Sequence, residues 1–148
     1  MPSEIPSIEA INFFEEDIQF ELPFPDQTKK WILRIVEENG YSINAINYIF
    51  CSDEYLHKIN FDYLDHDTYT DIITFDNAEA PNDLEGDIYI SIERMRDNAK
   101  KFNKLFDEEL HRVLIHGMLH LMGQGDKNEE ERREMRKREE ACLSLRNK

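Results

Sequence analysis

Apolar and polar residues alternate at period two in IEAINFF (8–14) and again in SINAINYIFC (42–51), which predicts two half-buried strands. Between them DQTKKWILRIVEENGY changes period. Trp31, Leu33, Ile35 and Val36 lie inside a segment that starts with Asp26 as a capping residue after Pro25 and stops at Gly40, which predicts a helix. Ser52 and Asp53 cap a second predicted helix running to about Asn60. DIITF (71–75) and GDIYIS (86–91) read as two further strands joined by the turn-rich NAEAPNDLEG. A helix follows at 94–104. Another starts near Asp107, with Leu110, Val113, Leu114, Met118 and Leu121 forming a core-facing stripe. The closing segment NEEERREMRKREEACLSL predicts a charged helix forming a solvated outer layer. The order β-α-β-α-β-β-α-α-α predicts a single α+β domain with a mixed four-stranded sheet packed with helices, because helical crossovers favour parallel neighbours and adjacent strands allow an antiparallel pair.

Composition narrows the class. A chain of 148 residues can bury one core, and 40% hydrophobic with 11% aromatic residues argues against disorder despite 34% charged residues. No basic start followed by an apolar run, and no apolar stretch long enough to cross a bilayer, is present, so a cytoplasmic protein without a membrane partner is expected. Cys51 and Cys142 lack CxxC or CxxH spacing and are expected to be buried free thiols. The net charge of −14 is unevenly spread: residues 1–93 carry −17 and residues 94–148 carry +3. A polyanion is therefore best tolerated by the C-terminal part. There RMRDNAKKFNK (94–104) holds five cations and one acid. Arg94, Lys100, Lys101, Lys104 and Arg112 are the candidate contacts for a phosphate backbone, and a solvated helix face is the simpler reading of the same run.

Chemistry concentrates in LIHGMLHLMGQGDKNEEE (114–131). At about 100° per residue, His116 and His120 lie about 40° and about 6 Å apart beside the apolar stripe, so both imidazoles leave the helix toward one cleft. Two histidines at this spacing are more often core-edge residues than ligands. The longer pattern HxxxHxxGxxD is more specific, because Gly123 ends the helix and lets the chain carry Asp126 back toward the histidines. Two imidazoles and one carboxylate supply three corners of a tetrahedral zinc site with the fourth open to water. The spacing overlaps that of the metzincin proteases, but their general-base glutamate directly after the first histidine is replaced by Gly117, which disfavours peptidase activity. Glu109, about 10 Å along the axis from His116, is too far to replace it.

Three ordered motifs carry a family resemblance over roughly residues 40–140. HGMLHLMG (116–123), INFDYLDHDTYTDIITF (59–75) and GDIYIS (86–91) resemble the YbeY family of metal-dependent endoribonucleases. The resemblance implies an α+β fold, one zinc-type ion, and cleavage of single-stranded RNA during small-subunit ribosomal RNA maturation and quality control. Ribosomal RNA precursor would then be the partner, with small-subunit ribosomal proteins as further partners. Two departures stand out. Asp126 occupies the place of the family's third histidine ligand in an ungapped reading, whereas an inserted residue would put Lys127 there instead. Leu64 stands where the family has an arginine near the RNA phosphate; Arg94, Arg112 or a lysine of 94–104 could substitute for it.

The expectation is a zincin-like metal site on a helix and the following loop, formed by His116, His120 and Asp126, in a zinc-dependent endoribonuclease with no residue yet assigned as the general base. The rivals are a metal-stabilised ribosome-assembly factor that does not cut RNA, suggested by Leu64, and a metallopeptidase. Thr70, Asp71, Gly86 and Asp87 are candidates for shaping the cleft, with turn and strand-end roles as the alternative. His57, His66 and His111 have no ligand spacing and are read as surface or core-edge residues.

Overall fold

The computed structural model describes residues 8–64 and 70–146. A 3-10 turn at Ile8–Ala10 leads into β1 (Ile11–Glu16), then α1 (Pro25–Glu38), β2 (Ser42–Cys51), α2 (Asp53–Leu64), β3 (Ile72–Asp76), β4 (Asp83–Ser91), α3 (Ile92–Lys101), α4 (Phe106–Leu121) and α5 (Glu129–Leu143). The four strands form one mixed sheet in the order β1-β2-β4-β3. β1, β2 and β4 are parallel, and β3 pairs antiparallel with β4 along the outer edge. Connection length accounts for the mixture: α1 carries the chain between the first parallel pair, while only the short link 77–82 joins β3 to β4.

Local boundaries depart from the pattern where caps and packing decide. Residues 8–10 form the turn, so the first strand begins at Ile11. Asp26 is not the cap of α1: Phe24 holds that place with φ 50° and ψ 58° and no side-chain cap bond, and Asp26 sits in the first turn, where its charge meets the helix's positive end. Ser52 does cap α2, its Oγ accepting from the Tyr55 N–H at 3.1 Å. Asp53 is already helical, and its carboxylate takes Arg94 instead, at 3.2 and 2.7 Å. α5 is more than a solvated layer, because Met135, Glu139 and Cys142 form a buried stripe along it.

The main core lies on one face of the sheet, where Ile46, Tyr48, Phe50, Ile88 and Ile90 meet α1, α3, α4 and α5. α2 covers part of the other face with Leu56 and Ile59 over Cys51 and Ile73. Three hydrogen bonds locate the helices. The buried Tyr48 hydroxyl donates to the Leu114 carbonyl in mid-α4 at 2.8 Å, and the Tyr41 hydroxyl donates to the Met122 carbonyl just beyond its end at 3.0 Å. The Trp31 indole donates to the Cys142 carbonyl at 2.9 Å, joining α1 to α5. Both cysteines are buried free thiols, with burial pushing Cys51 up to about 12 and Cys142 up to about 11, so neither is a thiolate at neutral pH. Among the described residues no helix is long and apolar enough to cross a membrane.

Gly117 sets how closely α4 approaches the sheet. A Cβ there would stand 3.1 Å from Ile88 and 3.2 Å from Ile72, so a side chain at this position points into the β3/β4 surface rather than into the cleft. Gly117→Glu is expected to destabilise the fold by roughly 3–5 kcal/mol, since it overpacks the contact and buries an unpaired carboxylate. Urea unfolding would measure this. A wild-type midpoint would mean that the glutamate escapes into the cleft and would restore the peptidase spacing.

Candidate active site

α4 ends in a Schellman arrangement that sets the path of the loop beyond it. The Gly123 N–H donates to the His120 carbonyl at 3.0 Å and the Gln124 N–H to the Leu119 carbonyl at 2.9 Å, with Gly123 at φ 99°. The chain then turns back and is fastened before α5 starts. Asn128 caps α5 by accepting from the Glu131 N–H at 2.7 Å, and Glu131 Oε1 accepts from the Lys127 N–H at 2.9 Å. Gly125 leaves room for this brace, because a Cβ there would lie 2.6 Å from the same Glu131 oxygen. Asp126 is thereby held between two anchored neighbours.

The result is a cavity of about 350 Å³ lined by Thr70, Asp71, Ile72, Thr74, Arg112, Val113, His116, His120 and Asp126. It lies between the C-terminal half of α4 and the edge strand β3. His116 is oriented from behind: its Nδ1–H donates to Glu139 Oε2 at 2.6 Å, and Glu139 is buried. A proton on Nδ1 leaves the Nε2 lone pair facing the cleft, where Asp126 Oδ2 stands 3.5 Å away. That separation is long for a hydrogen bond but close to the spacing of two ligands on one tetrahedral ion, about 3.4 Å for bonds of about 2.1 Å. His120 lines the same cavity from a more exposed position. As the side chains stand, no three His, Cys, Asp or Glu groups among the described residues are drawn together tightly enough to enclose an ion.

Arg112 ties the floor of the cavity together. Its guanidinium donates to both oxygens of buried Glu109 at 3.0 and 2.7 Å and to Glu139 Oε1 at 3.3 Å, and lies 3.7 Å from Asp71. Desolvation alone would lower its pKa, but the hydrogen bonds and charges of Glu109, Glu139 and Asp71 outweigh it and raise the pKa, so the guanidinium stays charged. Four carboxylates, Asp71, Glu109, Asp126 and Glu139, surround the single guanidinium of Arg112. A cation-seeking, oxygen- and nitrogen-lined cleft results, and its donor set fits a divalent ion.

The structure sorts the residues singled out from sequence. His116, His120, Asp126, Thr70, Asp71 and Arg112 meet in the cavity. Gly86 and Asp87 do not: a Cβ on Gly86 would strike the Phe75 carbonyl at 2.5 Å, and Asp87 accepts from the Asn47 amide at 3.0 Å on the other sheet face. Arg94 is a strut between α3 and α2 through Asp53. Lys100, Lys101 and Lys104 are exposed at the far end of α3, which touches the cavity wall through Asn98, 3.4 Å from Asp71. Leu64 ends α2 and is not part of the cavity lining. His57 lies with Asp17 and Glu54 beside a separate hollow. His111 is a core-edge residue, its pKa lowered chiefly by burial. His66 lies outside the described residues. Glu139 is the residue that sequence reasoning missed. Its signal was a carboxylate between Met135 and Cys142 at i+4 and i+7, on the one stripe of α5 that carries apolar residues.

The fold defines an α+β protein with a mixed four-stranded sheet, and it brings two helical imidazoles and a loop carboxylate to one cleft. The family model described as Endoribonuclease YbeY matches residues 11–147. Endoribonuclease YbeY of Cytophaga hutchinsonii is 53% identical over 138 residues, covering 93% of this chain and 96% of the relative. The protein of the same name from Christiangramia forsetii is 54% identical, covering 91% of this chain and 93% of its own. Among solved structures, the solution structure of TM1509 from Thermotoga maritima aligns with a TM-score of 0.62 at 27% identity, covering 90% of this chain and 89% of that one. This chain belongs to the endoribonuclease YbeY family.

Glu139→Ala is expected to cost about 3 kcal/mol in urea unfolding, because it strips a buried partner from both Arg112 and His116. A loss within about 0.5 kcal/mol, the range of an ordinary surface change, would show that Arg112 and Glu109 satisfy each other without it.

Proposed function

We propose that this protein is a zinc-dependent endoribonuclease that cuts single-stranded RNA during small-subunit ribosomal RNA maturation. The observation that carries the reading is the placement of His116, braced on Glu139 and facing Asp126 across 3.5 Å. His116, His120 and Asp126 would hold the ion. Bound there, it would supply Lewis-acid polarisation of a phosphoryl oxygen or an activated water. Family membership supplies the RNA-cleaving activity, and the overall acidity of the cleft supports a resident cation: without one, an RNA phosphate would meet a net negative surface.

The chain's own residues do the rest. Glu139 fixes the His116 ring and its tautomer. Arg112, held charged by its three carboxylates, presents the one Lys or Arg side chain among the described lining residues to a phosphate. Thr70 and Asp71 form the opposite wall. Leu64 leaves the α2 end without the family's cation. That departure supports the alternative of an assembly factor that binds without cutting.

Elemental analysis of purified protein should find about one zinc per chain, lost in His116→Ala and His120→Ala; undiminished metal in both variants would end the metal assignment. Asp126→Asn should weaken retention and Lys127→Ala should leave it nearly intact, and the opposite ranking would place the third ligand one residue later. Glu139→Gln should weaken metal affinity about 10–100-fold through the His116 ring alone.

Cleavage of a single-stranded RNA should be abolished by chelator and in His116→Ala, while a casein-type substrate stays uncut. Leu64→Arg should raise the cleavage rate. RNA binding with no metal-dependent cleavage would favour the assembly-factor reading, and cleavage that survives both chelator and His116→Ala would trace to a contaminating nuclease.

A further inference from the structure

α4 has a second cavity on its other flank. His111 precedes His116 by five positions, about 140° around the helix, and lines a hollow of about 870 Å³ that shares no lining residue with the first. Its walls come from both ends of the chain. Phe24, Lys30, Trp31 and Arg34 belong to α1 and the residue before it, Asp107 and His111 to α4, and Arg146 to the segment after α5.

Charge distinguishes this hollow from the other two. Lys30, Arg34 and Arg146 face one acid, Asp107, whereas acids outnumber cations in the lining of both other described cavities. The chain's net charge is −14, so this local cationic excess runs against its overall balance. Lys30 has no ion-pair partner among the described residues. Arg34 meets only Glu38, both half-exposed, at 3.0 Å. Arg146 Nη1 donates to Asp107 at 2.9 Å, while its Nε is buried with no acceptor among the described residues. Donors are thus in surplus over acceptors. Above them the Phe24 ring is 73% exposed at the helix start, and Trp31 packs edge-on to His111, whose ring burial keeps largely neutral.

We propose that this hollow binds one nucleotide unit, its phosphate taken by Lys30, Arg34 and Arg146 and its base stacked on Phe24. Surface cations supply the sequence-independent attraction and an exposed aromatic ring supplies a platform that any base can use. Two sources share that chemistry, a nucleotide within a single-stranded RNA and a free mononucleotide. The RNA source rests on the proposed function, in which a single strand is the substrate of the cleft on the other flank of α4.

Trp31 is the only tryptophan in the chain and lines the hollow, so its fluorescence reports occupancy directly. Zinc-loaded protein would be titrated with a short single-stranded oligonucleotide lacking 2′-hydroxyls and, separately, with AMP. Saturable change in Trp31 emission is expected, weakened at least tenfold in Phe24→Ala and in Lys30→Ala/Arg34→Ala. Both replace exposed side chains and should unfold at the wild-type midpoint. The double variant should also flatten the oligonucleotide's salt dependence by about 1.4 in the log–log slope, for two lost phosphate contacts on a single strand. A response to the oligonucleotide alone assigns the hollow to the RNA strand, and a response to AMP assigns it to the free nucleotide. A silent Trp31, or equal affinity in wild type and both variants, overturns the proposal. The outcome separates from that of the cleft: chelator-sensitive RNA cleavage with a silent Trp31 sinks this inference alone, and a Trp31 response without cleavage sinks the nuclease reading alone.

Discussion

Glu139 is buried with one oxygen on the His116 ring and the other on Arg112, and the candidate site is organised around that carboxylate. A buried charge is tolerated only when paired and hydrogen-bonded, so Glu139 requires α5 to lie against α4 at this register. The same pairing points His116 Nε2 into the cleft and holds Arg112 beside Glu109 and Asp71. Four elements are thereby brought to one point: α4, α5, the start of β3 and, through Asn98, α3.

The arrangement costs stability in exchange for orientation. Apolar side chains in place of Glu109, Arg112 and Glu139 would avoid desolvating three charges. What they could not do is fix an imidazole tautomer or keep a guanidinium charged at the cavity wall. Packing sets the remaining coordinates of the site: Gly117 lets α4 settle on Ile72 and Ile88, Tyr48 and Tyr41 fasten its middle and end, and Gly123 turns the chain so that Asp126 faces back. The cleft carries an acidic excess and the hollow on the opposite flank a cationic one, so α4 separates two surfaces of opposite electrostatic character.

Charge along the chain misleads when read as halves. Residues 1–93 are strongly acidic overall, yet Lys30 and Arg34 come from that half and fold next to Arg146 from the other end. Conversely Arg94, in the basic half, is consumed by Asp53. Net charge sums over sequence, whereas a ligand meets only what the fold places on one surface.

Element types, their order, the sheet's mixed character and the His116, His120 and Asp126 grouping were legible in the sequence, because they rest on short-range physics: periodicity, caps, and the fixed angle between helical positions. Even there, Asp26 lost the cap of α1 to Phe24, since Pro25, with its φ already fixed near the helical value, takes the first helical position. Strand order, the separation of Gly86 and Asp87 from the cleft, and the partners of Arg94 and Arg112 depended on contacts between residues distant in sequence. Glu139 marks the division most clearly. Its place on the buried stripe of α5 was local information, but its meeting with His116, 23 positions earlier, was decided only when the two helices packed and a charge removed from water had to find its partner.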